Sequence, residues 1–159
     1  MFSWVLLLHI LSAFALLGTH GTSMFVLYRI RGERDRAKIL TFLTLSGETT
    51  IPMYASIGAI VLTGIWLGLM PAIAAFKHWW VWVAILLLVA TIGLMTVVAK
   101  PYFVRVKAAC EVRPSGVPRV SDEELREITT ASTAHLITAI GVIGLLGILY
   151  LMVFQPGVL

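Results

Sequence analysis

Four apolar runs, each long enough to cross a lipid bilayer, decide what this chain can fold into. They cover about residues 3–28, 39–70, 79–100 and 128–154. A hydrocarbon core of about 30 Å takes roughly 20 residues of helix, and every run meets that length. A β-barrel would need strands of about ten residues with alternating apolar and polar side chains, whereas these runs are continuous. Backbone groups inside hydrocarbon must pair within their own segment, so the runs predict an all-α, integral membrane four-helix bundle with antiparallel neighbours. Only 13% of the 159 residues are charged, against about a quarter in ordinary soluble chains, which leaves room for a single membrane domain, 1–159, and no separate soluble one.

Charge placement orients the bundle. Arg29, Arg31, Arg34, Arg36 and Lys38 fill the first connection, and Lys100, Arg105, Lys107, Arg113, Arg119 and Arg126 fill or flank the third, while the second holds only Lys77. The positive-inside rule therefore places connections one and three in the cytoplasm and both termini outside. Trp4, Trp66, Trp79, Trp80 and Trp82 all fall at the outer boundary, where amphipathic rings settle at headgroup level. Basic residues beside span ends are accounted for by topology and anionic lipid, so the bilayer is the expected partner and nucleic acid is not. Met1-Phe2-Ser3-Trp4 has no basic region and the following run is long, which reads as a retained span rather than a signal peptide. Cys110 is the one cysteine and reads as a bystander thiol in a cytoplasmic connection.

Polar residues inside the runs are few and therefore informative. His9 and His20 are eleven residues apart, which on a helix is about three turns, so they share a face about 16 Å apart. Ser12, Ala13 and Ser23 belong to the same narrow face. In the second run Pro52 predicts a kink near Glu48, and Glu48 has Thr41, Thr44 and Ala55 as helical neighbours. Gly64 and Gly68 form a small-xxx-small pair suited to a helix contact. The third run is the plainest and reads as scaffold. Ser121 with Glu124 is a capping-box pattern, so the fourth helix is expected to start in the cytoplasm and enter the membrane near Ile128. Its inward face presents Ala131, Ser132, His135, Thr138 and Ala139, and Gly141, Gly144 and Gly147 then permit close approach of a neighbour.

Counting from the cytoplasmic ends places His20, Glu48 and His135 at a common depth of roughly 10–14 Å. His9 and His78 form a second pair towards the outer side. Ionisable side chains at such depth are costly, which makes them candidates for function. Three chemistries suit them. Imidazoles on facing helices can ligate haem b, with His9, His20, His135 and His78 as candidate ligands. His20, His135 and Glu48 are candidate ligands for a transition metal, with Met24 or Met53 as soft donors. Glu and His can also relay protons. The plain structural alternative is that these residues hydrogen-bond one another and lock the bundle.

Leu8-His9-Ile10, Gly18, Phe25-Val26-Leu27-Tyr28-Arg29, Ile51-Pro52-Met53 and Leu62-Thr63-Gly64-Ile65-Trp66-Leu67 together resemble a bacterial group of small membrane proteins. That group contains the copper-resistance CopD membrane domain, the HemJ-type protoporphyrinogen oxidases and an uncharacterised branch, to which this chain is most similar. The resemblance covers most of the first two spans. It implies a multi-helix fold in a bacterial inner membrane and, from the HemJ side, haem b on the histidine early in helix one, here His9. The HemJ-type pattern has a lysine soon after the tryptophan of the third span, and Trp79-Trp80-Val81-Trp82-Val83 has none, so oxidase activity is not implied. The resulting expectation is a multi-pass protein that binds haem b and serves electron transfer, alone, as an oligomer or beside other membrane redox subunits. The alternatives are a non-redox accessory subunit and a metal or proton transporter.

Overall fold

In a computed structural model, which describes residues 1–71 and 74–157, the four apolar runs are helices and no strand forms among the described residues. The first is continuous, α1 (Phe2–Arg31). The other three are interrupted. The second divides into α2 (Arg36–Glu48) and α3 (Thr50–Leu69). A short 3-10 turn, Ala75–Lys77, leads into α4 (Trp79–Leu94), which continues through a π-helical turn at Met95–Ala99 into α5 (Lys100–Cys110). The fourth consists of α6 (Asp122–Thr130) and α7 (Thr133–Phe154).

Two interruptions follow from proline. Pro52 lies in the first turn of α3 and has no N–H to offer the Glu48 carbonyl four residues back, so α2 ends at Glu48 and the helix restarts. Pro101 denies Val97 the same bond, and the π turn at Met95–Ala99 absorbs the mismatch just before it. At the third break there is no proline. Thr129 and Thr130 both turn their hydroxyls onto the Arg126 carbonyl, and Ala131 then adopts an extended backbone, with φ −52° and ψ 148°.

The breaks sort the chain by charge. Helices α3, α4 and α7 contain no Asp, Glu, Lys or Arg, whereas α2, α5 and α6 carry Arg36, Lys38 and Glu48, then Lys100, Arg105 and Lys107, then Asp122 through Glu127. The 20 residues of α3 extend about 30 Å, which matches the hydrocarbon thickness. The full helical runs of 34, 32 and 33 residues are therefore a membrane segment plus a polar extension each. The extensions pack with the end of α1 around a core that includes Val26, Leu27, Ile30, Ile39, Tyr102, Val106 and Leu125. On α2 Ile39 is fully buried, while Lys38, Thr41, Thr44, Leu45 and Glu48 are exposed. At the tryptophan end α4 and α7 close on a smaller core of Trp80, Val81, Ala84 and Leu151. Within the membrane layer α1 packs along α3, and α4 along α7.

Broken helices leave carbonyls without partners, and the basic end supplies donors for them. Arg31 donates to the Ala131 carbonyl at 2.8 Å and the Tyr102 hydroxyl to that of Thr129 at 3.1 Å, so both bonds close the end of α6. Arg36 donates to the Ala109 carbonyl at 2.8 Å, closing α5, and also reaches Val120 and the Asp122 carboxylate. An unsatisfied buried carbonyl costs about 1–3 kcal/mol, so these arginines contribute to the fold as well as to topology. Ser121 caps α6 by accepting from the Glu124 N–H at 3.1 Å, which is the cap the sequence predicts. Asp35 caps α2 in the same way through the N–H groups of Ala37 and Lys38.

Glu48 ends α2 just before the Pro52 break and is exposed on the protein surface. One sequence expectation changes here. Cys110 is not a surface thiol, because it packs into the basic-end core at 1% exposure. Orientation is thus best read from Ser115, at the exposed tip of the turn that Val112 and Pro118 close by pairing. With Ser115→Cys in intact cells, a membrane-impermeant maleimide should leave the protein unlabelled and should label it after lysis, while native Cys110 stays unreactive until denaturation. Labelling of Ser115→Cys in intact cells would reverse the orientation.

Candidate functional site

Every helical contact that involves an imidazole in the membrane layer is made by α1. His9 places Nδ1 2.8 Å from the Thr63 hydroxyl of α3. Thr63 has one hydroxyl hydrogen and gives it to the Ala59 carbonyl at 2.5 Å. Nδ1 of His9 must therefore carry the proton and donate, which leaves the lone pair on Nε2. The ring rests on Gly64, where an added Cβ would come 3.3 Å from Cε1. Ser12 of α1 and Ser56 of α3 are buried along the same seam, each returning its hydroxyl to the carbonyl four residues back, at 2.7 and 2.8 Å. Small side chains of this kind let two helices approach closely in lipid.

His20 has a different environment. Its ring edge lies against Gly141 of α7, so that a Cβ there would fall on Nε2, 2.7 Å from Cε1 and 2.8 Å from the terminal methyl carbon of Met95. Three helices thus meet at one glycine. Among the described residues, the hydrogen-bonded histidines are His9 and His135, and His20 has no such partner. Further along α7, Gly144 receives Thr91 and Gly147 receives Leu87, so the three glycines act as the seats for neighbouring side chains that their spacing predicts.

The remaining candidates are dispersed. His135 is exposed on α7 and takes a long contact of 3.5 Å from Nδ1 to the Tyr28 hydroxyl. His78 precedes α4 and stacks on Trp80, with ring centroids 6.3 Å apart and planes 17° apart. Glu48 is exposed at the end of α2. No group of three or more His, Cys, Asp or Glu side chains among the described residues is placed to hold a metal, so His20, His135 and Glu48 are not assembled into one site. Similar residue counts along three helices do not by themselves bring side chains together.

One polar cluster was not anticipated in its full extent. Ser46 donates to Ser23 at 3.1 Å, Ser23 lies 3.3 Å from the Thr49 hydroxyl, and Thr49 donates to the Ser46 carbonyl at 2.8 Å. The Thr49 hydrogen is committed to that carbonyl, so Ser23 donates to Thr49 and the chain of hydroxyls has one direction. It ties α1 to the break between α2 and α3. Its sequence signal is the run Ser46-Gly47-Glu48-Thr49-Thr50 ahead of Pro52, in which hydroxyls flank the carboxylate on both sides.

Haem b can be tested against these residues. The His9 donor fits: ligating imidazoles usually give their other N–H to a fixed acceptor, and Thr63 is that acceptor. His20 does not fit, because its ring edge is already filled by Gly141 and Met95. The packing reading of His20 makes its own prediction. Gly141→Ala should destabilise the protein by about 1–3 kcal/mol through overpacking, and the loss should shrink when His20→Ala is added. Gly18→Ala, where nothing lies within 4 Å, should be neutral or stabilising. Thermal unfolding in detergent checks both, and equal effects at the two glycines would contradict the contact.

The comparisons with known proteins reach the family and go no further. No curated protein and no solved structure matches the chain. Nothing in them extends the resemblance to the CopD and HemJ-type proteins. A family model described as "Predicted integral membrane protein (DUF2269)" matches residues 3–156. The match covers nearly the whole chain, which therefore belongs to the DUF2269 family of integral membrane proteins.

Proposed function

We propose that this protein is a multi-pass redox component of a bacterial inner membrane that holds haem b through Nε2 of His9. The observation that carries the reading is the fixed tautomer of His9, with Nδ1–H directed at Thr63 and Thr63 directed at Ala59. The bond satisfies a half-buried imidazole in any case, and it also leaves Nε2 free and oriented, as a ligand requires. Haem supplies one-electron transfer when bound. The chain's own residues supply the donor atom, its orientation through Thr63 and close approach of α1 to α3 at Gly64. Partners are other membrane redox subunits that exchange the electron.

A second reading, a non-redox accessory subunit, draws support from His20, whose ring serves as a packing element on Gly141. One experiment separates the two. The purified protein should show a Soret band and a reduced-minus-oxidised spectrum typical of haem b. His9→Ala should lose the band, His20→Ala should keep it, and Thr63→Val should weaken haem retention about 10–100-fold, since it preserves shape and removes the acceptor. Absence of haem from the purified protein, or retention of it in His9→Ala, would favour the accessory reading.

A further inference from the structure

We infer that Arg31, Tyr28, Ser132 and His135 form a binding site for the headgroup phosphate of one anionic phospholipid, at the basic end where α1 meets the start of α7. The inference does not depend on haem, since His9 lies about 30 Å away along α1. It starts from a difference between two arginines. Arg36 and Arg31 each close the end of a helix by donating to a backbone carbonyl, at 2.8 Å in both cases. The charge of Arg36 is balanced by the Asp122 carboxylate at 2.7 Å. Arg31 gives one N–H to Ala131, and among the described residues no carboxylate lies within ion-pair reach of it. A guanidinium carries five N–H groups, so most of the donors of this half-buried cation remain uncommitted. Taking a charge out of water without a counter-charge is costly, which makes a negative group its expected neighbour.

The surroundings suit a lipid headgroup. Ala131 is the joint between α6, which carries charged residues from Asp122 to Glu127, and α7, which carries none along its 22 residues. Such a step from charged to uncharged helix marks the level at which a membrane protein meets lipid phosphates. Tyr28 lies three residues before Arg31 on one face of α1, and His135 lies four residues after Ala131. The contacts Arg31–Ala131 and Tyr28–His135 are therefore successive rungs between the same two segments. Both side chains of the second rung are exposed. Nδ1 of His135 faces the Tyr28 hydroxyl at 3.5 Å, which leaves Nε2 to meet a lipid. Ser132 is exposed three residues before His135, and its hydroxyl makes no cap bond to α7. One cation and several neutral donors thus share a patch open to lipid, and a phosphate has the acceptor oxygens to engage them together. A lipid of net negative charge balances Arg31, whereas a zwitterionic lipid brings an ammonium group of its own. Binding is by ion pairing and hydrogen bonds alone.

The test is native mass spectrometry of the full chain released from nanodiscs that hold phosphatidylglycerol and phosphatidylethanolamine in equal amounts. The expected result is one phosphatidylglycerol retained per chain, in preference to phosphatidylethanolamine. Arg31→Gln keeps an N–H for the Ala131 carbonyl and removes the charge, and it should lower the retained phosphatidylglycerol about fivefold or more. Tyr28→Phe combined with His135→Ala alters exposed side chains only and should lower it about fivefold. Lys38→Gln removes an exposed cation elsewhere on the basic end and should change it little. Equal retention of the two lipids, or equal losses from Arg31→Gln and Lys38→Gln, would overturn the inference in favour of diffuse attraction to the basic end. Where Arg31→Gln does not fold, full retention in the Tyr28→Phe, His135→Ala variant overturns it. Displacement of the lipid by millimolar inorganic phosphate would assign the site to a soluble ion and also overturn it.

Discussion

Hydrocarbon cannot replace a lost backbone hydrogen bond, and this constraint governs where the helices of this protein are allowed to break. Each break frees carbonyls that water would otherwise solvate. All three breaks lie beside charged residues; Arg31 and Tyr102 close the carbonyls freed at the break between α6 and α7, and Arg36 closes the far end of α5. Arginine suits the task because its guanidinium forks towards two acceptors at once, as Arg36 does with Ala109 and Val120. The breaks therefore act as joints between an apolar layer and a polar cap, and the prolines at 52 and 101 are tolerated because they fall at those joints.

Helix α1 alone runs unbroken through both layers, and the other helices are arranged on it. Its seat for α3 is made by His9, Ser12 and the Ser23 hydroxyl, its seat for α7 by His20 and Tyr28, and its hold on the end of α6 by Arg31. Polar contacts are prominent in this list because the hydrophobic effect gives no driving force between helices in lipid. The buried apolar clusters lie towards the two ends, the larger one among the polar extensions and the adjoining ends of α1 and α7. The same logic makes His9 and His20 differ: one is oriented by an acceptor, the other is wedged against a glycine with its nitrogens uncommitted.

Much of this architecture was legible in the sequence. Run length and continuity gave the helical class, and Ser121, Pro52, Gly141, Gly144 and Gly147 behave as their chemistry dictates. The length of the runs leaves open how each is divided. The run at 39–70 breaks between Glu48 and Thr50, and on α2 Lys38, Thr41, Thr44 and Glu48 are exposed while Ile39 is buried. Mean apolarity over that stretch carries no sign of the break, whereas Pro52 does. Residue counts along separate helices do not fix which side chains meet, so His20, Glu48 and His135 are grouped by count but are not assembled in space. Tertiary facts such as the approach of Met95 to His20 have no local signature, because they depend on how a π turn rotates one helix against two others.

The division into membrane layer and polar cap requires that the bilayer boundary falls at the helix breaks and not at the ends of the apolar runs. Single cysteines introduced along the outward face of α2 and α3, at Lys38, Thr41, Thr44, Glu48, Ala55, Gly58 and Leu62, test it directly in membranes opened on the basic side. A charged maleimide should react at the first four positions and fail at the last three, with the change falling at Thr49–Pro52. Protection that already begins at Thr41 would place α2 inside the bilayer and contradict the division into membrane layer and polar cap.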